Sequence, residues 1–233
     1  MKVVVSVGGS VLAPDLAADR VAAYGDVLAD LAADHDVAAV VGGGRVAREY
    51  IDAARELGGN EIELDQLGIG VTRLNARLLG TAMEGPIAPP EEYDTAAEAL
   101  RRDGLVVMGG IVPGQTTDAV AAALAEYVEA DLLIYATSVP GVFDADPNED
   151  SGAERYDRLP AADLVELVAS GGSLGSAGSN APIDLLAAKL VQRSGVRTFV
   201  LDGSDPERVR GAVRDGDFDG TEILPDGDAE VDS

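Results

Sequence analysis

The chain opens on a β-branched apolar run, Val3 to Val7, that stops at Gly8-Gly9-Ser10. Such a run, apolar at every position but Ser6, predicts a buried central strand, because a strand covered on both faces has no polar side to alternate with. Apolar positions at helical spacing follow, with Tyr24, Val27, Leu28 and Leu31 predicting a helix from about Leu16 to Asp34. A second apolar run, Val37 to Val41, ends in Gly42-Gly43-Gly44 and leads to a helix over Arg45 to Leu57. Leu67, Val71, Leu74 and Leu78 mark a longer helix, Leu64 to Met83, and Pro86, Pro89 and Pro90 break the chain after it. A short acidic helix then leads to a third strand, Leu105 to Met108.

Beyond it the chain reads glycine turn, alanine-rich helix, fourth strand (Leu132 to Ala136) and a loop closing on Asp144-Ala145-Asp146-Pro147. A polar stretch from Asn148 to Asp157 predicts a mobile loop. Helices are predicted over Pro160 to Ala169 and Pro182 to Arg193, the second with proline in its first turn. Between them lies GGSLGSAGSN, a binding loop or linker. Val196 to Leu201 reads as a strand, Pro206 to Arg214 as a helix, and Glu222 to Leu224 as a last short strand. Strands alternating with helices predict an α/β fold, a single αβα sandwich on a mostly parallel sheet spanning residues 1–225. An acidic disordered tail is expected from Asp226.

Charge changes the picture most. The 233 residues carry 42 Asp and Glu against 17 Lys and Arg, a formal charge of −25, and only Lys2 and Lys189 are lysines. Such a surface repels nucleic acid and anionic membranes. Acid excess with lysine avoidance points to life in concentrated salt, where screening shortens to ~3 Å near 1 M. With no cysteine there is no disulfide and no thiolate metal site. The opening residues are too glycine-broken for a signal peptide, and no apolar run approaches the ~20 residues of a membrane helix, so a cytoplasmic protein is expected.

The candidate chemistry sits in the glycine loops. Gly8-Gly9-Ser10 is a phosphate cradle of N–H groups or a tight turn, and matches neither a Walker loop nor a dinucleotide fingerprint. Gly42-Gly43-Gly44 runs into a helix carrying Arg45 and Arg48, a helix N-terminus suited to an anion with an arginine one turn away. Two such loops after two neighbouring strands favour phosphate binding. Asp65 reads, on its own, as an acid at a helix start. Thr116, Thr117 and Asp118 read as a helix start with threonine capping. His35 reads as a surface residue, and Arg73 and Arg77 as surface or intersubunit pairs.

Six ordered blocks carry a closer resemblance: VGGSVL, VVGGGRVAREYI, GIGVTRLNARLL, MGGIVPGQTTDAVAAALAE, DLLIYATSVPGVFDADP and PIDLLAAKLVQRSG. In this order they resemble the amino-acid kinase superfamily, and within it the archaeal type of uridylate (UMP) kinase, from Met1 to about Leu224. The resemblance implies transfer of the ATP γ-phosphoryl group to UMP, with Mg²⁺ held mainly through nucleotide phosphates rather than by a protein metal site. It implies ATP contacts at Gly9, Ser10, Gly44, Arg48, Thr137, Phe143 and Asp146. UMP contacts fall on Gly43, Asp65, Val112, Pro113, Gly114, Gln115, Thr116, Thr117 and Asp118, which makes Asp65 a ribose ligand instead of a helix-start acid. Catalytic roles fall on Arg48, Asp118 and Asp184, and a homo-oligomer, a hexamer built from dimers, is implied; the broad apolar face of the long helix makes that helix the candidate subunit contact.

The departures from the family pattern are specific. Ser6 stands where many of these kinases carry lysine, Asp184 where those making acylphosphates carry a second lysine, and Pro140 where an aspartate is common. Asp184 argues against a carboxylate-phosphorylating enzyme. The alternatives are another small-molecule kinase of the superfamily, or a non-catalytic nucleotide-binding storage or sensor protein on the same fold.

Overall fold

The computed structural model describes residues 1–83, 88–145, 147, 150–170, 182–216 and 218–226. Its elements are β1 (Lys2–Val7), α1 (Gly9–Leu12), α2 (Ala18–Ala32), β2 (Asp36–Val41), α3 (Gly44–Glu56), α4 (Glu61–Thr81), α5 (Tyr93–Asp103) and β3 (Leu105–Met108). They continue as α6 (Thr117–Tyr127), β4 (Leu132–Thr137), β5 (Arg158–Pro160), α7 (Ala161–Ser170), α8 (Leu185–Ser194), β6 (Thr198–Asp202), α9 (Glu207–Arg214) and β7 (Gly220–Leu224). The sheet order is β3-β2-β1-β4-β6-β7-β5. The first five strands in that order run parallel; β7 is antiparallel to β6 and parallel to β5.

Both faces of the sheet are covered, as the near-continuous apolar runs require. Strand residues alternate between faces. Val3, Val5 and Val7 point into one core with α1, α2, α4 and α9, including Tyr24, Leu28, Leu79 and Val209. Val4 points into the other, filled by Ala119 to Ala122 of α6, Ala187 of α8 and Leu164 of α7. The result is an α/β, three-layer arrangement with a mostly parallel sheet.

Several boundaries differ from the sequence reading. The first glycine turn opens directly into the short helix α1. Helix α4 starts one turn before the apolar periodicity shows, at a capping box: Asn60 accepts from Ile62 and Glu63 N–H groups, and the Glu63 side chain accepts from Asn60 N–H. Asp65 is therefore inside the helix rather than at its start. Pro182 precedes α8, whose N-cap is Asp184. Strand β5 was not foreseen; it is three residues long, ends in proline and exists by pairing with β7. Asp226, placed by sequence in the tail, accepts from Ala162 N–H and Gln192 Nε2, both at 2.9 Å. The glycine-serine stretch 171–180, Pro86 and tail residues 227–233 lie outside the described residues.

Candidate active site

Most of the candidate residues gather beyond the carboxyl ends of β1 to β4, where open parallel sheets leave a crevice. The two glycine loops after β1 and β2 meet backbone to backbone. A Cβ on Gly9 would lie 2.2 Å from Gly44 N, and one on Gly44 would lie 2.6 Å from the Gly9 carbonyl carbon. Gly44 also has φ +63°, a left-handed conformation that disfavours side chains. Only glycine fits at either position, so the two loops form one surface of bare backbone at the N-terminus of α3. That end of a 13-residue helix presents free N–H groups and a partial positive charge. Arg48, one turn into α3 and exposed, donates from Nη2 to Ser10 Oγ at 3.2 Å, so its guanidinium lies across the junction.

A second pair of helix ends meets beside the first. Thr116 caps α6, accepting from Ala119 N–H at 3.1 Å. Asp184 caps α8, accepting from Leu186 and Ala187 N–H at 2.8 and 3.1 Å. Thr116 Oγ1 also donates to Asp184 Oδ2, which ties the two N-termini together. The threonine cap read from sequence is thus present, and it is also a bridge.

Ser6 joins the two halves. It is the polar break in the β1 run, 2% exposed, and alternation turns it toward α6. Its hydroxyl donates to Asp118 Oδ1 at 2.8 Å. Burial pushes the Asp118 carboxyl up to about 7; the Ser6 hydrogen bond opposes that shift and the negative charge of Asp184 adds to it. Tyr135 of β4 donates to the Asp118 carbonyl at 3.1 Å, and burial raises its phenol, with Asp118 and Asp184 adding to the shift. Where lysine would ion-pair, this chain has a neutral hydroxyl and a carboxyl that holds its proton toward neutrality.

The loop from Gly109 to Thr116 forms the far wall. Asp65 Oδ2 accepts from Gly114 N–H at 2.7 Å, so the α4 carboxylate touches the loop that the resemblance assigns to the same ligand. Val112 is exposed at the rim. Pro113 follows it, and Gln115 Oε1 accepts from Tyr93 at 3.2 Å. Thr117 and Asp118 form the first turn of α6. On the other side, Thr137 ends β4 beside the first glycine loop, since Gly8 N–H donates to Ala136 O at 3.0 Å. The Thr137 hydroxyl is engaged with the Val139 backbone. Phe143 sits farther out, bridged to Arg155. Asp146 lies outside the described residues. The loop around Pro140 is held by its backbone: Arg155 Nη1 donates to Pro140 O at 3.2 Å, and Thr221 Oγ1 accepts from Val142 N–H at 2.9 Å.

Sequence reasoning treated Arg73 as a surface or intersubunit pair. It pairs at the surface with the exposed Glu91, and it also bonds within the chain to the carbonyls of Gly110 and Ile111. Thr72 and Asn75 were passed over. Their signal was two polar residues at positions where the helical period demands burial, and both are buried.

Comparison with known proteins places the chain in a family. The model of the amino acid kinase family matches residues 1–202. The uridylate kinase of Haloarcula marismortui is 64% identical over 229 residues, covering 97% of this chain and 100% of that protein. That of Natronomonas pharaonis is 63% identical, covering 97% and 99%. Among solved structures, uridylate kinase from Archaeoglobus fulgidus superposes with a TM-score of 0.86 at 44% identity, covering 96% of this chain and all of that one. The UMP kinase of Bacillus anthracis shares the fold, with a TM-score of 0.79 at 23% identity over 97% and 96% of the two chains. The chain belongs to the amino acid kinase family, among the uridylate kinases of halophilic archaea.

Proposed function

We propose that this cleft moves the γ-phosphoryl group of ATP to the phosphate of UMP, giving ADP and UDP. The observation that carries the reading is the backbone-to-backbone junction of two glycine loops, spanned by Arg48, facing a wall held by Asp65. Phosphoryl transfer needs in-line placement and charge neutralisation more than covalent help. The junction offers N–H groups and one cation, and its glycines put no side chains of their own in the way of donor and acceptor. In this reading Gly9, Ser10, Gly44, Thr137, Phe143 and Asp146 hold ATP. Gly43, Asp65 and the loop from Val112 to Asp118 hold UMP, and Arg48 neutralises the transferring group. Thr116 and Asp184 hold the α6 and α8 N-termini at the site, and Asp118 is oriented by Ser6.

Mg²⁺ belongs to the proposal, carried mainly on the nucleotide phosphates. Ser10 at the junction, and Thr116, Asp118 and Asp184 at the α6 and α8 N-termini, offer oxygen atoms, the donors a hard cation accepts. When bound it supplies neutralisation of phosphate charge.

The reading extends to a homo-oligomer in the cytoplasm, a hexamer built from dimers. Tyr50 and Leu57 of the α3 region and Leu67 and Leu74 of α4 leave apolar surface exposed on two packed helices, which favours a second copy of the chain there. No helix among the described residues is long and apolar enough to cross a membrane.

The deciding experiment is ADP release in molar KCl with a panel of nucleoside monophosphates. Turnover with UMP well above the rest is the expected result. No turnover with any of them, beside tight nucleotide binding, would select the non-catalytic storage or sensor reading.

A further inference from the structure

Within four residues α4 carries Thr72, Arg73 and Asn75, and each is bonded to the backbone of a loop that lines the cleft. Asn75 Nδ2 donates to the carbonyls of Gly42 and Gly43 at 2.8 and 3.3 Å. Thr72 Oγ1 accepts from Gly110 N–H at 2.7 Å. Arg73 donates from Nε to Gly110 O at 3.1 Å and from Nη2 to Ile111 O at 3.3 Å, while Nη1 donates to Glu91 at 2.7 Å. The approach is close: a Cβ on Gly109 would lie 2.6 Å from Thr72 Oγ1 and 2.7 Å from Arg73 N.

The direction of these bonds matters. In a planar trans peptide the carbonyl and the following N–H point opposite ways. Holding the Gly42 and Gly43 carbonyls on Asn75 turns the N–H groups of Gly43 and Gly44 away from α4. Holding the Gly110 and Ile111 carbonyls on Arg73 does the same for the N–H groups of Ile111 and Val112. The three side chains span only ~4.5 Å along the helix axis, at a rise of ~1.5 Å per residue. One short, rigid piece of helix therefore sets the backbone of both loops relative to each other.

We propose that Arg73 is a positioning residue for the acceptor: with Thr72 it fixes the acceptor loop on α4, and Asn75 fixes the phosphate loop on the same helix, so the distance between UMP and ATP is built into α4. This rests on the phosphoryl-transfer reading above. Arginine suits the task because its planar fork addresses two successive carbonyls in a fixed geometry, whereas a lysine ammonium is a compact donor on a flexible stem.

The test is steady-state kinetics of Arg73→Ala and Arg73→Lys in molar KCl, beside the wild-type chain and with thermal melts of each. For Arg73→Ala the KM for UMP is expected to rise at least tenfold while that for ATP stays within twofold. Arg73→Lys, which keeps the charge but loses the fork, is expected to raise the UMP KM at least threefold, and it decides the matter if the alanine variant does not fold. An unchanged UMP KM in the lysine variant, or equal rises for both substrates in either variant, overturns the proposal. A wild-type chain that releases no ADP with UMP overturns the functional reading itself, and is told apart by that control.

Discussion

At the scale of single residues, the cleft places few cations against much phosphate charge. Arg48 is the guanidinium that spans the glycine-loop junction, and position 6, where lysine is common in the family, is a serine engaged with Asp118. Arg48→Ala should therefore lower kcat at least about tenfold, ~1.4 kcal/mol on the barrier. Single-turnover measurement at saturating ATP and UMP checks it, and a wild-type rate would return Arg48 to the surface. Asp118 makes a pH prediction. Its folded carboxyl is raised to about 7 from 3.8, mainly by burial, so folding favours the protonated form. That contribution is complete below the ordinary carboxylate value and is lost as pH rises through about 7. Asp118→Asn removes the titration while keeping the shape. The melting temperature of the variant should gain on that of the wild type between pH 5 and pH 8, both in molar KCl. A constant difference across that range would show that Asp118 is an ordinary carboxylate.

At the scale of elements, α4 joins folding to function. Its N-terminus is held by the Asn60–Glu63 capping box, and its centre holds both loops. Loss of an Asn cap costs roughly 0.5–2 kcal/mol, typically about 1. Asn60→Ala should lower unfolding stability by that amount in chemical denaturation, while kcat in molar salt stays within about twofold because the loop-holding residues lie three turns away. Equal stability would mean that tertiary packing alone sets the helix start. The capping box was legible, since asparagine followed three residues later by glutamate is its signature. Apolar periodicity, which begins only at Leu64, hid it. Strand β5 was not legible: Arg158-Leu159-Pro160 has no alternation to read, and its pairing depends on β7, more than 60 positions away. Ser6 was read as a missing lysine because its partner could not be seen.

At the scale of the whole molecule, the excess of 25 negative charges governs behaviour in salt. Two opposing effects operate. Surface pairs such as Asp30 with Arg210 and Arg214, both at 3.0 Å, weaken as salt rises, but exposed pairs are worth only ~0–1 kcal/mol each. Repulsion among the acids that no arginine neutralises weakens too. At ~0.01 M the screening length is about 30 Å, comparable to the molecule, and near 1 M it is ~3 Å. With 42 acids against 17 bases the second effect wins. The melting temperature should climb steeply from dilute buffer to 2 M KCl, and NaCl should reproduce much of the gain. A flat melt over that range would refute screening as the source of stability.

The sequence by itself determined the alternation of strand and helix, the two glycine loops and the charge of the surface. Each is local: burial on both faces favours a near-continuous apolar run, close backbone approach demands glycine, and net charge is a sum over residues. The tertiary structure alone decided which loops and side chains meet. Ser6 lies 112 positions from Asp118, and Thr116 lies 68 from Asp184. Side-chain period assigns a residue to a face of its strand or helix, but which neighbour that face meets depends on the order β3-β2-β1-β4-β6, a property of the crossovers. The same holds for Arg73: its helix was predictable, and the two carbonyls it grips were not, because backbone carbonyls look alike in every sequence until the fold brings one pair within reach.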